Sequence, residues 1–142
     1  MMEDEKAITE VLAHSIGSKD AALCHLALCA NYGVGTEVTI VVGGQLITGE
    51  LVSGKEYAET TANAFRNANC DDSLKESLAG FFEELANDYR QEEGHTIPLN
   101  YIHLKDPVYL RGDGTWLTVK GTILRVQLEK VLGFTLGRSC EK

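Results

Sequence analysis

The residue types best suited to chemistry are concentrated in one stretch, "YIHLKDPVYLRGDG", residues 101 to 114. In an extended strand alternate side chains point to opposite faces, so Tyr101, His103 and Lys105 share one face and Ile102 and Leu104 the other. An imidazole is an adaptable acid or base, but catalysis at His103 needs a nucleophile or a fixed carboxylate beside it. The run offers only Asp106, in the Asp106-Pro107 turn, so no catalytic residue is assigned. His103 and Lys105 together suit contact with an anion or a partner protein; the same alternation also describes the solvated or helix-covered side of a sheet. Arg125, in "ILRVQ", alternates with apolar neighbours, which draws it inward against a carboxylate that its planar fork would fit. Asp113-Gly114 within "RGDG" is hairpin-turn chemistry. Tyr101, Trp116 and Phe134 could stack on bases, but their dispersal over separate strands favours core and edge packing.

Metal chemistry finds little support. Cys24 and Cys29 lie five residues apart on an expected helix, about 140° around its axis, and cannot face one ion together. His25 and Cys29 share a helix face, but the two further ligands of a structural zinc are not in evidence. No glycine run has the form of a phosphate cradle, because "GVG" precedes a strand and "GG" lies inside a hairpin. No cofactor is expected.

The elements that must position these residues are legible from periodicity. Ile8, Val11, Leu12 and Ile16 have the spacing of a short amphipathic helix, and a second helix is expected from Lys19 to Tyr32, capped by Ser18 and stopped by Gly33, with Leu23, Leu26 and Ala27 toward the core. The period then changes to two: "EVTIVV" and "QLITGELV", joined by Gly43-Gly44, form a hairpin over residues 36–52, and Gly49 marks a bend or bulge. Ser53 and Glu56, then Ser73 and Glu76, are capping boxes that open two helices within residues 53–93. In the second of these, Leu74, Leu78, Phe81, Phe82, Leu85 and Tyr89 recur at helical spacing. The segment 98–138 returns to strands: "NYIHLK", "VYLR", a long bent "TWLTVKGTILRV" curving at Gly121, a short "LEKV" turn and "GFTLG". The expected fold class is α+β: a small, strongly bent antiparallel β-barrel, Sm-like by analogy, with N-terminal helices (1–33) and a two-helix insertion, all in a single domain.

Composition narrows the function classes. The 142 residues include 44% hydrophobic ones, enough for a core without disulfides. No run approaches the roughly 18 apolar residues of a membrane span, and "MMEDEK" is acidic where a signal peptide is basic. The expectation is a cytoplasmic chain with no membrane partner, its four cysteines reduced. The net charge of −8 is unevenly spread: residues 1–97 hold 17 acidic and 6 Lys or Arg side chains, residues 98–142 hold 4 and 7. Opposite-sign halves can steer self-association, while the acidic balance argues against broad nucleic-acid binding.

In order, "VTIVVGGQLITGELVSGKEY", "YIHLK" and "TILRVQLEKVLGFTLG" make the chain resemble the gas vesicle accessory protein U family (GvpU-like) from about Leu26 to Arg138. The positions that carry the resemblance include Gly49, Lys55-Glu56-Tyr57, Ile102-His103-Leu104-Lys105, Gly121, Arg125 and Gly133-Phe134 with Leu136-Gly137. The resemblance implies a minor accessory component of gas vesicles, distinct from the shell wall. Opposite-sign surfaces and the open strand edges of a small barrel add the expectation of a non-enzymatic protein that associates with itself, as a homo-oligomer, and with other gas vesicle proteins. The contact candidates are Tyr57, Tyr101, His103, Lys105, Arg111 and Arg125. A second class is a nucleic-acid-binding module on an Sm-like barrel, using Lys105, Arg111 and Arg125; a third is a small hydrolase or isomerase around His103.

Overall fold

The computed structural model describes residues 19–139; the helix expected around Ile8 to Ile16 lies outside the described residues. Helix α1 (Ala21–Asn31) starts at Asp20, whose carboxylate accepts hydrogen bonds from the backbone N–H groups of Ala22 and Leu23 at 2.8 and 3.1 Å. Asp20 thus satisfies two free N–H groups of the first turn at once as the observed cap, while Ser18, the expected one, lies outside the described residues. At the other end Gly33 takes φ +91°, with Gly33 N–H donating to Ala30 O and Val34 N–H to Cys29 O. This is the paired closure that a left-handed glycine permits.

Strands β1 (Glu37–Val42) and β2 (Gln45–Val52) form the expected hairpin, turning at Gly43 with φ +56°. Val38 and Ile40 are buried on the side that faces α1, where Leu23, Ala27, Ile47, Leu51, Ile102, Leu104, Val126 and Leu128 complete the core. The register between β2 and β3 slips between Thr48 and Glu50. Gly49 sits there because a Cβ would come within 3.1 Å of the Leu104 Cβ, so the bulge expected at this glycine is also a close approach.

Two helices follow, α2 (Gly54–Arg66) and α3 (Asp72–Asp88). Ser53 caps α2 as expected, its hydroxyl accepting from Glu56 N–H at 3.0 Å, but the box is only half made, since the Glu56 carboxylate pairs with Lys105. The Ser73 box does not: α3 already begins at Asp72, and its N-cap, Asp71, makes no side-chain capping bond. Ser73 and Glu76 lie inside the first turns, where the acidic pair before them carries the favourable charge for the helix start.

The remaining strands depart from expectation in continuity. "NYIHLK" and "VYLR" are one ten-residue strand, β3 (Tyr101–Leu110). Asp106-Pro107 kinks it without ending it: Asp106 has φ +49°, its N–H donates to Thr122 O, and its carboxylate accepts from Gly121 N–H at 2.9 Å. Conversely, "TWLTVKGTILRV" is two strands, β4 (Trp116–Thr118) and β5 (Ile123–Gln127), separated at Gly121, φ +78°. A 3-10 turn, Leu128–Lys130, leads into β6 (Val131–Leu136).

The antiparallel sheet runs β6-β1-β2-β3, with β4 and β5 sharing the outer side of β3. The three residues of the 3-10 turn join β5 to β6, which lie at opposite edges. Four interstrand spacings amount to about 19 Å in a flat sheet, whereas the chain from Gln127 to Val131 reaches at most about 14 Å, so the sheet must curl. It does not close. The barrel expected from the glycine bends is corrected here: no strand pair joins β6 to β4 or β5, and the edge it would need is divided between two short strands by the Gly121 turn. The fold is a mixed α+β arrangement of three helices and an open, curled six-stranded sheet among the described residues.

Candidate interaction surface

Strand β3 puts Ile102 and Leu104 in the core and His103 on the opposite face, as alternation requires. That face is not solvated at His103, which is only 2% exposed. The helical pair α2–α3 covers it: the Tyr57 ring lies 4.9 Å from the imidazole at a 31° tilt, and the Tyr89 ring meets it edge-on at 5.7 Å. Gly54 makes the second contact possible, since a Cβ there would fall 2.3 Å from Tyr89 Cε1.

Arg125 stands directly opposite His103 in the β3–β5 register. Its guanidinium lies over the Tyr101 ring at 3.8 Å and within 5.5 Å of the Tyr57 centroid, and it reaches His103 Nε2 at 2.8 Å and the Tyr89 hydroxyl at 3.3 Å. Guanidinium only donates, so Nε2 accepts and the imidazole proton sits on Nδ1. Burial first, and the Arg125 charge second, push the His103 pKa down to about 3. The imidazole is thus neutral and a poor base, and among the described residues its hydrogen-bond partner is Arg125 and not a carboxylate. The carboxylate partner expected for Arg125 is likewise replaced: no ion pair involves Arg125 among the described residues, and aromatic faces stabilise its charge instead.

Four contact candidates, Tyr57, Tyr101, His103 and Arg125, are therefore brought together in one interlocked cluster. Lys105 lies beyond it, exposed and ion-paired with Glu56 of α2 at 3.3 Å, and the bond to that carboxylate raises its pKa. Arg111 is remote from both, exposed in the β3–β4 turn, where its backbone bonds with Thr115 and Gly114. Trp116 and Phe134 sit on β4 and β6 at different edges, and neither makes a ring contact with Tyr101 among the described residues. Tyr89 is the member that the local pattern concealed; its only signal was the last place in the helical series that begins at Leu74.

The outward surfaces are of two kinds. Strand β6 pairs with β1 on one side and with no described strand on the other, and it exposes Leu132 (76%) and Leu136 (65%). The helical pair is acidic, with ten Asp and Glu against four Lys and Arg over residues 53–93. No cluster of three or more His, Cys, Asp or Glu could hold a metal among the described residues, and no helix there is long and apolar enough to cross a membrane.

Among the described residues the architecture is a curled open sheet with one helix on its core face and an acidic helical pair pinned to the other by the Tyr57, Tyr89, His103 and Arg125 cluster. A family model described as "Gas vesicle protein GvpU-like" matches residues 20–139. The chain belongs to this gas vesicle family. No curated protein and no solved structure matches it.

Proposed function

We propose that this chain is a non-enzymatic, cytoplasmic accessory protein of gas vesicles that acts by association with itself and with other gas vesicle proteins. The observation that carries this reading is the β6 edge, which pairs with no described strand on its outer side and, with exposed Leu132 and Leu136, offers backbone and apolar contact to a second chain. Charge supports it: Lys130, exposed at the start of the edge and in no ion pair among the described residues, lies in the positive part of the chain, while residues 1–97 are strongly negative. Two copies meeting edge to acidic helices make a head-to-tail contact, which extends into chains or rings. Among the contact candidates, Lys105 and Arg111 are exposed to a partner, whereas Tyr57, Tyr101, His103 and Arg125 serve by holding α2–α3 against the sheet. The nucleic-acid alternative needs clustered free cations, and no observation favours it: Arg125 is stacked, Lys105 is paired and Arg111 stands apart.

Light scattering of the full chain over a salt series tests the reading. The expected result is a mass above that of one chain at low salt, reduced by added salt and by Leu132→Glu, a charge that blunts an edge strand and opposes the acidic helices. A salt-independent monomer at high concentration would remove it.

A further inference from the structure

The outer face of α3 presents an apolar seam that the described residues leave without a partner. Leu74, Leu78, Phe81 and Leu85 follow at intervals of four, three and four, the spacing by which one helix packs lengthwise on another. Leu78 and Leu85 are half-buried, but Phe81 is 63% and Leu74 50% exposed. The other side of α3 is occupied: Ala79 is buried between the helices, Phe82 stacks on Phe65 at 5.7 Å, and Arg66 binds both Glu76 and Glu83. Beside the seam, Ser77 and Gly80 are small, and nothing lies within 4 Å of a Cβ built at Gly80, so another backbone can approach.

The charges bordering the seam select what covers it. Glu84 and Asp88 stand three and seven residues beyond Phe81, next to the seam on the helix surface, exposed and without an ion pair among the described residues. No described helix of the chain has the matching sign, and the sequence of residues 1–18 does not carry it either. Helix α1 is uncharged apart from His25 and is buried in the core, α2–α3 lies in a segment of net −6, and residues 1–18 hold four acids against Lys6. Helix-to-helix pairing of two copies would bring like charges together.

We infer that the α3 seam is a docking site for an amphipathic helix of another protein, with leucine-type side chains at heptad spacing on one face and Lys or Arg flanking them. Phe81 is its apolar anchor, and Glu84 and Asp88 set the sign of the partner. This deepens the association reading by naming a second surface and a partner chemistry. It concerns α3 and not β6, so the two can fail separately.

The test uses the full chain and three labelled 18-residue peptides: Leu at heptad positions with Lys flanks, the same Leu pattern with Glu flanks, and the Lys-flanked sequence with Leu replaced by Ser. In fluorescence anisotropy the Leu/Lys peptide should bind about tenfold or more tighter than either control. Amide shifts should centre on residues 74–88. Phe81→Gln, and separately Glu84→Gln with Asp88→Gln, should each weaken it by about tenfold, while Leu132→Glu leaves it unchanged. All of these positions are exposed, and circular dichroism checks that the variants fold. Equal binding of the Ser-substituted peptide, or indifference to Phe81→Gln, would overturn the inference. So would a fall in the mass of the peptide-free protein on Phe81→Gln, which would make a second copy the occupant.

Discussion

Protonation of His103 should destabilise the fold in a defined pH window. The ring is buried against Tyr57 and Tyr89 and accepts a hydrogen bond from the Arg125 cation, so a second positive charge there loses hydration and meets repulsion. Its pKa is about 3 in the folded chain against 6.5 ordinarily. Between these values the unfolded chain binds more protons, so stability rises with pH. The contribution is fully present above 6.5, is lost progressively as pH falls toward 3, and changes no further below that. Going from pH 7.5 to 5 crosses 1.5 pH units below the unfolded value and removes about 2 kcal/mol at roughly 1.36 kcal/mol per unit. Urea unfolding at pH 7.5, 6.5, 5.5 and 5 measures this, mostly above the range in which ordinary carboxylates titrate. The comparison is His103→Gln, which keeps an acceptor for Arg125 and cannot titrate, and which should lack that part of the slope. Equal slopes in the two proteins, or an imidazole resonance of His103 titrating near 6.5, would refute the reasoning.

Two further substitutions examine how α2–α3 is held to the rest of the fold. Gly54→Ala drives a methyl into the Tyr89 ring at 2.3 Å and should lower unfolding stability in urea by about 1–3 kcal/mol. Asn31→Ala removes the side-chain oxygen that accepts from Gly54 N–H at 2.9 Å; leaving that buried N–H unmatched should cost about 1–3 kcal/mol, seen as a lower urea midpoint with an unchanged slope.

Much of the local structure was legible because local chemistry determines it. The Gly33 stop, the Gly43-Gly44 hairpin and the Ser53 cap rest on interactions within a few residues, and all appear at the expected positions; the bulge at Gly49 also falls where expected, although strand β3 sets it. Errors arose where distant chain decided. Asp106-Pro107 has the composition of a strand end, yet bonds from Thr122 and Gly121 let β3 pass through it. The Ser73 box is a local exception, because the adjacent Asp71-Asp72 start α3 ahead of it.

For the candidate site, alternation correctly placed Tyr101, His103 and Lys105 on one face, and the charge division between the two parts of the chain needed no structure at all. Sequence order alone therefore determined the helices, the hairpin, the sidedness of β3 and the family motifs. Only the tertiary structure decided that the sheet stays open, that Arg125 rests on tyrosines instead of a carboxylate, and that His103 is dry. The reason is that these depend on contacts across 36 and 22 positions, as between Arg125 and Tyr89 or His103. Periodicity can say which face a side chain takes, but not what the rest of the chain lays over it. The stretch that first suggested chemistry, "YIHLK", is the seam by which the acidic helices are fastened to the sheet.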